Sequence, residues 1–149
     1  MLRSSNSKST SLVLGALSLV GALFFANTTQ ASAGDVTIGE VSTTAGHDEV
    51  VPALTRSLKA EVAKVEAPAG KKFVLSATLT KLETITVGAE STTRCIVSIA
   101  VRDAGGALRG ETTGSGTAIT KSGDASAQKS VLDAAVRGAT KPLPAVMAK

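Results

Sequence analysis

Aromatic side chains are almost missing from this 149-residue chain, which has no Trp, no Tyr and three Phe. Two of those, Phe24 and Phe25, sit in an N-terminal apolar run, so Phe73 is the one left for the rest. Stacking on bases or sugar rings is therefore excluded as a main binding mode. The chain has one cysteine and one histidine. Cys95 has no partner for an internal disulfide, and one Cys with one His cannot build a Cys/His zinc cage. Long runs of one charge are also missing; the longest basic run is Lys71-Lys72. Nucleic-acid binders usually carry a basic stripe, and none is present. No cofactor and no metal are expected.

What is present begins with an export signal. Met1 to Ser11 is polar and carries Arg3 and Lys8 without an acid. Leu12 to Ala26 is a run of fifteen residues without a charge. Asn27 to Gln30 is polar, and Ala31, Ser32 and Ala33 then supply the small-x-small pattern that a signal peptidase accepts. Fifteen helical residues span roughly 22 Å, short of the ~30 Å hydrocarbon core. No Lys/Arg cluster follows to hold the run in a membrane. The expectation is a cleavable signal peptide over residues 1–33, no retained membrane span, and a periplasmic or extracellular product cut near Ala33. Without Arg3 and Lys8, fourteen Lys/Arg face twelve Asp/Glu, a net charge of +2.

Beyond the leader, residues 34–46 form a short lead in which Val36, Ile38 and Val41 could make a strand. From His47 to Glu66 the apolar Val50, Val51, Leu54, Leu58, Val62 and Val65 recur at spacings of three and four, which lines one helical face. Pro52 has to lie in the first turn. Ala67-Pro68-Ala69-Gly70 ends the helix.

Lys71 to Val87 alternates as a strand, with Phe73, Leu75, Ala77 and Leu79 on one side. The alternation slips near Lys81, which predicts a bulge. In Ser91 to Asp103, Cys95, Val97, Ile99 and Val101 share one face; Arg94, Ser98 and Arg102 share the other. Asp103-Ala104-Gly105-Gly106 offers turn residues for a hairpin. In Ala107 to Ile119 one face is nearly all small: Leu108, Gly110, Thr112, Gly114, Gly116 and Ala118. Such a face admits close approach of another backbone. The expected partner is a helix over Ala125 to Ala139 with Asp124 as N-cap. Pro142 and Pro144 are expected to stop it and leave residues 141–149 as a mobile tail.

The predicted fold is α+β, with elements ordered (β)-α-β-β-β-α. It is an antiparallel meander of three strands, or four if the lead pairs, with two helices on one face. The domain proper is expected over residues 47–140.

Candidate chemistry is sparse. Gly110 to Thr117 has the look of a phosphate loop, but position 117 is Thr where the P-loop requires Lys. Ser115 lacks the spacing of a nucleophile elbow. His47 beside Asp48 could serve acid–base work only if a cleft held a partner. Cys95 sits beside Val97 on an apolar strand face, which fits a buried, inert thiol. No catalytic residue is assigned. The best interaction candidate is the polar face carrying Arg94, Ser98, Arg102, Arg109, Glu111 and Thr113, a rigid and broad surface for docking a partner.

The stretches Phe73 to Leu79, Cys95 to Gly106 and Gly114 to Ala118 resemble small bacterial envelope domains of the curli-secretion lipoprotein and penicillin-binding-protein activator type. Those domains also run strand, Asp-Ala-x-Gly hairpin, strand with Gly-x-Gly/Ala, then helix. The chain lacks their lipobox Cys and usual aromatics. The resemblance implies a non-catalytic envelope accessory protein and transfers no functional residue. The leading expectation is an exported, non-enzymatic interaction or accessory domain whose partner is another envelope or secreted protein. The alternatives are a small secreted enzyme inhibitor and a small secreted hydrolase. For the inhibitor, Thr84-Ile85-Thr86-Val87-Gly88 faintly echoes the cystatin loop. The hydrolase would be built on Ser, Asp and His47.

Overall fold

A computed structural model describes residues 34–44 and 46–149. The expected leader, Met1 to Ala33, lies outside the described residues. Strand β1 (Asp35–Thr43) is followed by a 3-10 turn at Asp48–Val50 and helix α1 (Val51–Val62). Strands β2 (Lys72–Val87), β3 (Glu90–Asp103) and β4 (Leu108–Lys121) come next, then helices α2 (Ser126–Thr140) and α3 (Leu143–Met147). The sheet order is β1-β2-β3-β4.

The expected order of elements is present, and the lead is the fourth strand. The polarity departs from an all-antiparallel meander. β1 runs parallel to β2, whereas β2–β3 and β3–β4 are antiparallel. The reason is covalent: α1 carries the chain back to the end of the sheet where β1 began, as a parallel pair requires. The lead therefore belongs to the domain. With two long helices and a parallel pair, the fold also differs from one helix laid across an antiparallel sheet.

The period-2 alternation gives each strand one buried face. Phe73, Leu75, Ala77, Leu79, Cys95, Val97, Ile99 and Val101 are all buried on the helix side. The slip near Lys81 is a register shift between Leu79 and Lys81 opposite Val97 and Ile96. It returns Leu82 to the core beside Cys95. Leu54, Leu58 and Val62 close the core from α1; Val131, Leu132, Ala135, Val136 and Ala139 close it from α2. Each fully buried Leu or Ile contributes about 1.5–3 kcal/mol.

Gly114 and Gly116 explain where α2 sits. A Cβ at Gly114 would fall inside the Ala135 carbonyl oxygen, and one at Gly116 inside the Val131 carbonyl oxygen. The helix backbone lies directly on the strand backbone, as the small face foretold. The Thr112 hydroxyl donates to the Ala139 carbonyl at 2.7 Å, so this buried polar group is satisfied.

Two helix ends differ from expectation. Ala125, not Asp124, is the N-cap of α2 and makes no side-chain cap bond. The Asp124 carboxylate instead accepts from the Ser126 amide at 2.9 Å and the Ser126 hydroxyl at 2.7 Å. After α2 the chain does not trail away. α3 buries Leu143 and Met147 completely or nearly so. Pro142 and Pro144, expected only as stops, fit the N-cap and first turn of a new helix, where no amide is needed.

Candidate functional site

The helices cover one side of the sheet, and among the described residues no element packs on the other. That open face is set by the outward residues of every strand. Its centre is a row of hydroxyls. Register places Ser42 opposite Thr78, Thr78 opposite Ser98, and Ser98 opposite Thr113. Ser42 and Thr78 hydroxyls are 3.3 Å apart, and those of Ser98 and Thr113 are 3.2 Å apart. The row crosses all four strands. Its neighbours on β3 are Ile96 and Ala100, which stand opposite Lys81 of β2 and Glu111 of β4, so the row itself is short-chained between longer flanking residues. A partner could approach the backbone closely here.

Of the six residues expected on a docking face, register puts Arg94, Ser98, Arg102, Glu111 and Thr113 on this side; a shift after Val101 sets Leu108, expected on the small inner face, opposite Arg102 instead of Arg109. Ser98 and Thr113 are the centre of the hydroxyl row, and Glu111 lies opposite Ala100. Arg94 and Arg102 flank the row on β3 and are exposed. Arg102 donates to the Gly106 carbonyl at 3.0 Å. Arg109 is held by Asp103, with Nε at 3.0 Å and Nη2 at 2.9 Å from Oδ2. The Asp103 carboxylate also accepts from the Gly105 and Ala107 amides. The Ala107 amide foremost, aided by Arg109 and the Gly105 amide, holds its carboxyl below the usual Asp range. Asp103 thus ties the β3–β4 turn and aims Arg109.

At one end of the face lies an apolar group that the sequence reading missed. Ile85 and Ile119 both stand opposite Thr92, with Val87 one row further on. They are 57%, 68% and 76% exposed. Alternation alone would have placed them on the outer side; only the register shows that they are neighbours. Exposed apolar groups that cluster, rather than scatter, mark contact surfaces.

The other chemical candidates resolve differently. Cys95 is fully buried, and desolvation pushes its thiol up to about 11. A thiol so placed is a poor nucleophile. His47 contacts Glu49, with Nδ1 3.2 Å from Oε1, and not the Asp48 considered from sequence. Gly110 to Thr117 lies within β4 under the helices, so it is no phosphate loop. Thr84 to Gly88 is the end of β2 and its turn, with Gly88 at φ 62°.

One pair lay beyond sequence reach. The Ser57 hydroxyl of α1 donates to the Asp133 carboxylate of α2, and Lys129 Nζ lies 2.9 Å from the same carboxylate. The Ser57 hydroxyl foremost, with Lys129 and Arg137 adding to it, holds the Asp133 carboxyl below its ordinary range. They sit in a groove of about 400 Å³ between the helices. The Ser57 hydroxyl and Lys129 are both engaged by the Asp133 carboxylate within this groove. The evident role of the Ser57–Asp133 pair is to pin α1 to α2. Among the described residues, no group of three or more His, Cys, Asp or Glu could hold a metal ion. No described helix is long and apolar enough to cross a membrane.

The architecture has counterparts among solved structures. XCC0632 of Xanthomonas campestris, assigned to family DUF330, is 13% identical with a TM-score of 0.51; the match covers 76% of this chain and 83% of that one. Lipoprotein GNA1162 of Neisseria meningitidis is 13% identical, with a TM-score of 0.49 over 62% and 86%. The PelC dodecamer of Paraburkholderia phytofirmans is 16% identical, with a TM-score of 0.45 over 75% and 89%. No family model matches the sequence, and no curated protein matches it. At these identities the likeness is one of fold. XCC0632 shares the α+β fold, and no residue role is carried across.

Proposed function

We propose that this is an exported, non-enzymatic accessory domain of the cell envelope that docks a partner protein on its open sheet face. The observation that carries the reading is the uncovered four-strand face itself. It has a hydroxyl row at its centre, Arg94, Arg102 and Glu111 around it, and exposed Ile85, Val87 and Ile119 at one end. Small central side chains permit close approach, charged residues at the rim add specificity, and an apolar cluster adds affinity. On this reading the N-terminal export signal directs the domain out of the cytoplasm, and its leader is cut near Ala33. The sealed Cys95 thiol, pushed up by desolvation, speaks against thiol chemistry.

The test is site-specific photocrosslinking in living cells. A photoreactive residue at Ser98 or Thr113 is expected to give one discrete adduct with another envelope protein. The same residue at Lys59 or Ala134, on the solvent side of the helices, is expected to give none. Adducts from the helix positions alone would overturn the assignment of the docking face.

A further inference from the structure

At the opposite end of the sheet from Ile85 and Ile119, three pieces of chain meet around a notch of about 330 Å³. Lining it are Gly70 to Phe73 at the start of β2, Asp103 to Gly105 with Arg109 at the β3–β4 turn, and Met147 and Lys149 after the last helix begins. The β2–β3 register, with Phe73 opposite Asp103, brings the first two together. The two large apolar lining residues, Phe73 and Met147, are almost sealed from solvent and give the notch a firm base.

The charge on this lining is one-sided. Lys71 and Lys72 are exposed, and neither forms an ion pair among the described residues. Asp103 is the single acid among the lining residues, and it is already engaged by Arg109 and two turn amides. That bond fixes the Arg109 guanidinium and leaves its other N–H groups available. Two mobile ammonium groups beside one oriented guanidinium match an anion with several oxygens. Position within the fold favours this over an ordinary solvated surface. The two lysines arrive together at the start of β2 and Arg109 arrives from β4, and nothing in the ladder requires the two groups at one spot.

We infer that this notch binds a phosphate-class anion through Lys71, Lys72 and Arg109. The reading goes beyond the docking face and is independent of it. The anion could be a lipid headgroup or a free phosphate, and the experiment has an arm for each. Full-length protein is tested for sedimentation with vesicles of phosphatidylglycerol in phosphatidylcholine, against phosphatidylcholine alone. In parallel, inorganic phosphate is titrated without vesicles and amide shifts are followed. Binding in either arm is expected to weaken as salt is raised. Lys71→Gln with Lys72→Gln is expected to lower the apparent affinity tenfold or more. Lys59→Gln with Lys121→Gln removes the same charge elsewhere and is expected to change it less than twofold. All variants share one leader, so any apolar anchoring cancels. Binding that appears only with anionic vesicles assigns the headgroup; amide shifts at the notch with phosphate alone assign the free anion. Absence of binding in both arms would overturn the inference, and so would equal losses in the two double variants. Ser98→Ala with Thr113→Ala is expected to leave this binding unchanged, so its failure and that of the docking face are separable.

Discussion

Along β3, Cys95, Val97, Ile99 and Val101 alternate with Arg94, Ile96, Ser98, Ala100 and Arg102. The first set is sealed beneath α1 and α2, whereas the second lies under no other layer. A single strand therefore passes two different physical tests at once. On the covered side the requirement is volume: large apolar groups from β2 and β3, and glycines in β4 where α2 comes down onto the sheet. On the open side there is no volume to fill, and small hydroxyl residues occupy the centre. Stability is concentrated on one face, which leaves the other free to vary with function.

That asymmetry can be broken in graded steps. Ile99→Ala opens a cavity in the best-packed part of the core and is expected to cost about 2–5 kcal/mol, read as a shift in the urea midpoint. Gly114→Val forces a side chain into the α2 backbone and is expected to cost about 1–3 kcal/mol or more. It should also expose apolar surface to a dye, because the helix has to lift. Thr112→Val keeps the shape but removes the bond to the Ala139 carbonyl, with an expected loss of about 1 kcal/mol.

Acid tests the helix layer. The folded state holds the Asp133 carboxyl below its ordinary value, so it binds fewer protons there than in the unfolded chain. The resulting stability is present above the ordinary Asp range and is lost as pH falls through that range to the depressed value. Asp133→Asn is expected to be less stable at neutral pH, and its stability should fall less between pH 5 and pH 2. Ser98→Ala, on the open face, is expected to change stability by less than about 0.5 kcal/mol. A large loss at Ser98 would mean that the open face is part of the structural core.

Much of this division could be read from the sequence. Alternation in Phe73 to Leu79 and in Cys95 to Val101 is clear because one side is fully buried, so polar residues on that side are excluded. The small face of β4 announced a close helix, since glycines at 114 and 116 have no other evident use. Three things were not legible. The direction of β1 is not written in Val36, Ile38 and Val41, because an alternating strand looks the same in either polarity. α3 was hidden by Pro142 and Pro144, which stop one helix and begin the next. The hydroxyl row, the Ile85–Ile119 group and the Ser57–Asp133 bond depend on residues far apart in the chain. Their assembly follows from register and helix docking, neither of which has a local signal. Arg94, Ser98, Arg102, Glu111 and Thr113 were legible as one face, whereas Arg109 was misassigned because the register shift after Val101 has no sequence signal.

The contrast between the two faces can be measured with a single thiol. Native protein is treated with a maleimide, and its rate is compared with that of a Cys95→Ala, Ser98→Cys variant. The Cys95 thiol is expected to stay unlabelled until denaturant unfolds the domain, while the thiol introduced at position 98 reacts within minutes. Equal rates in the folded proteins would contradict a sheet sealed on one side and open on the other.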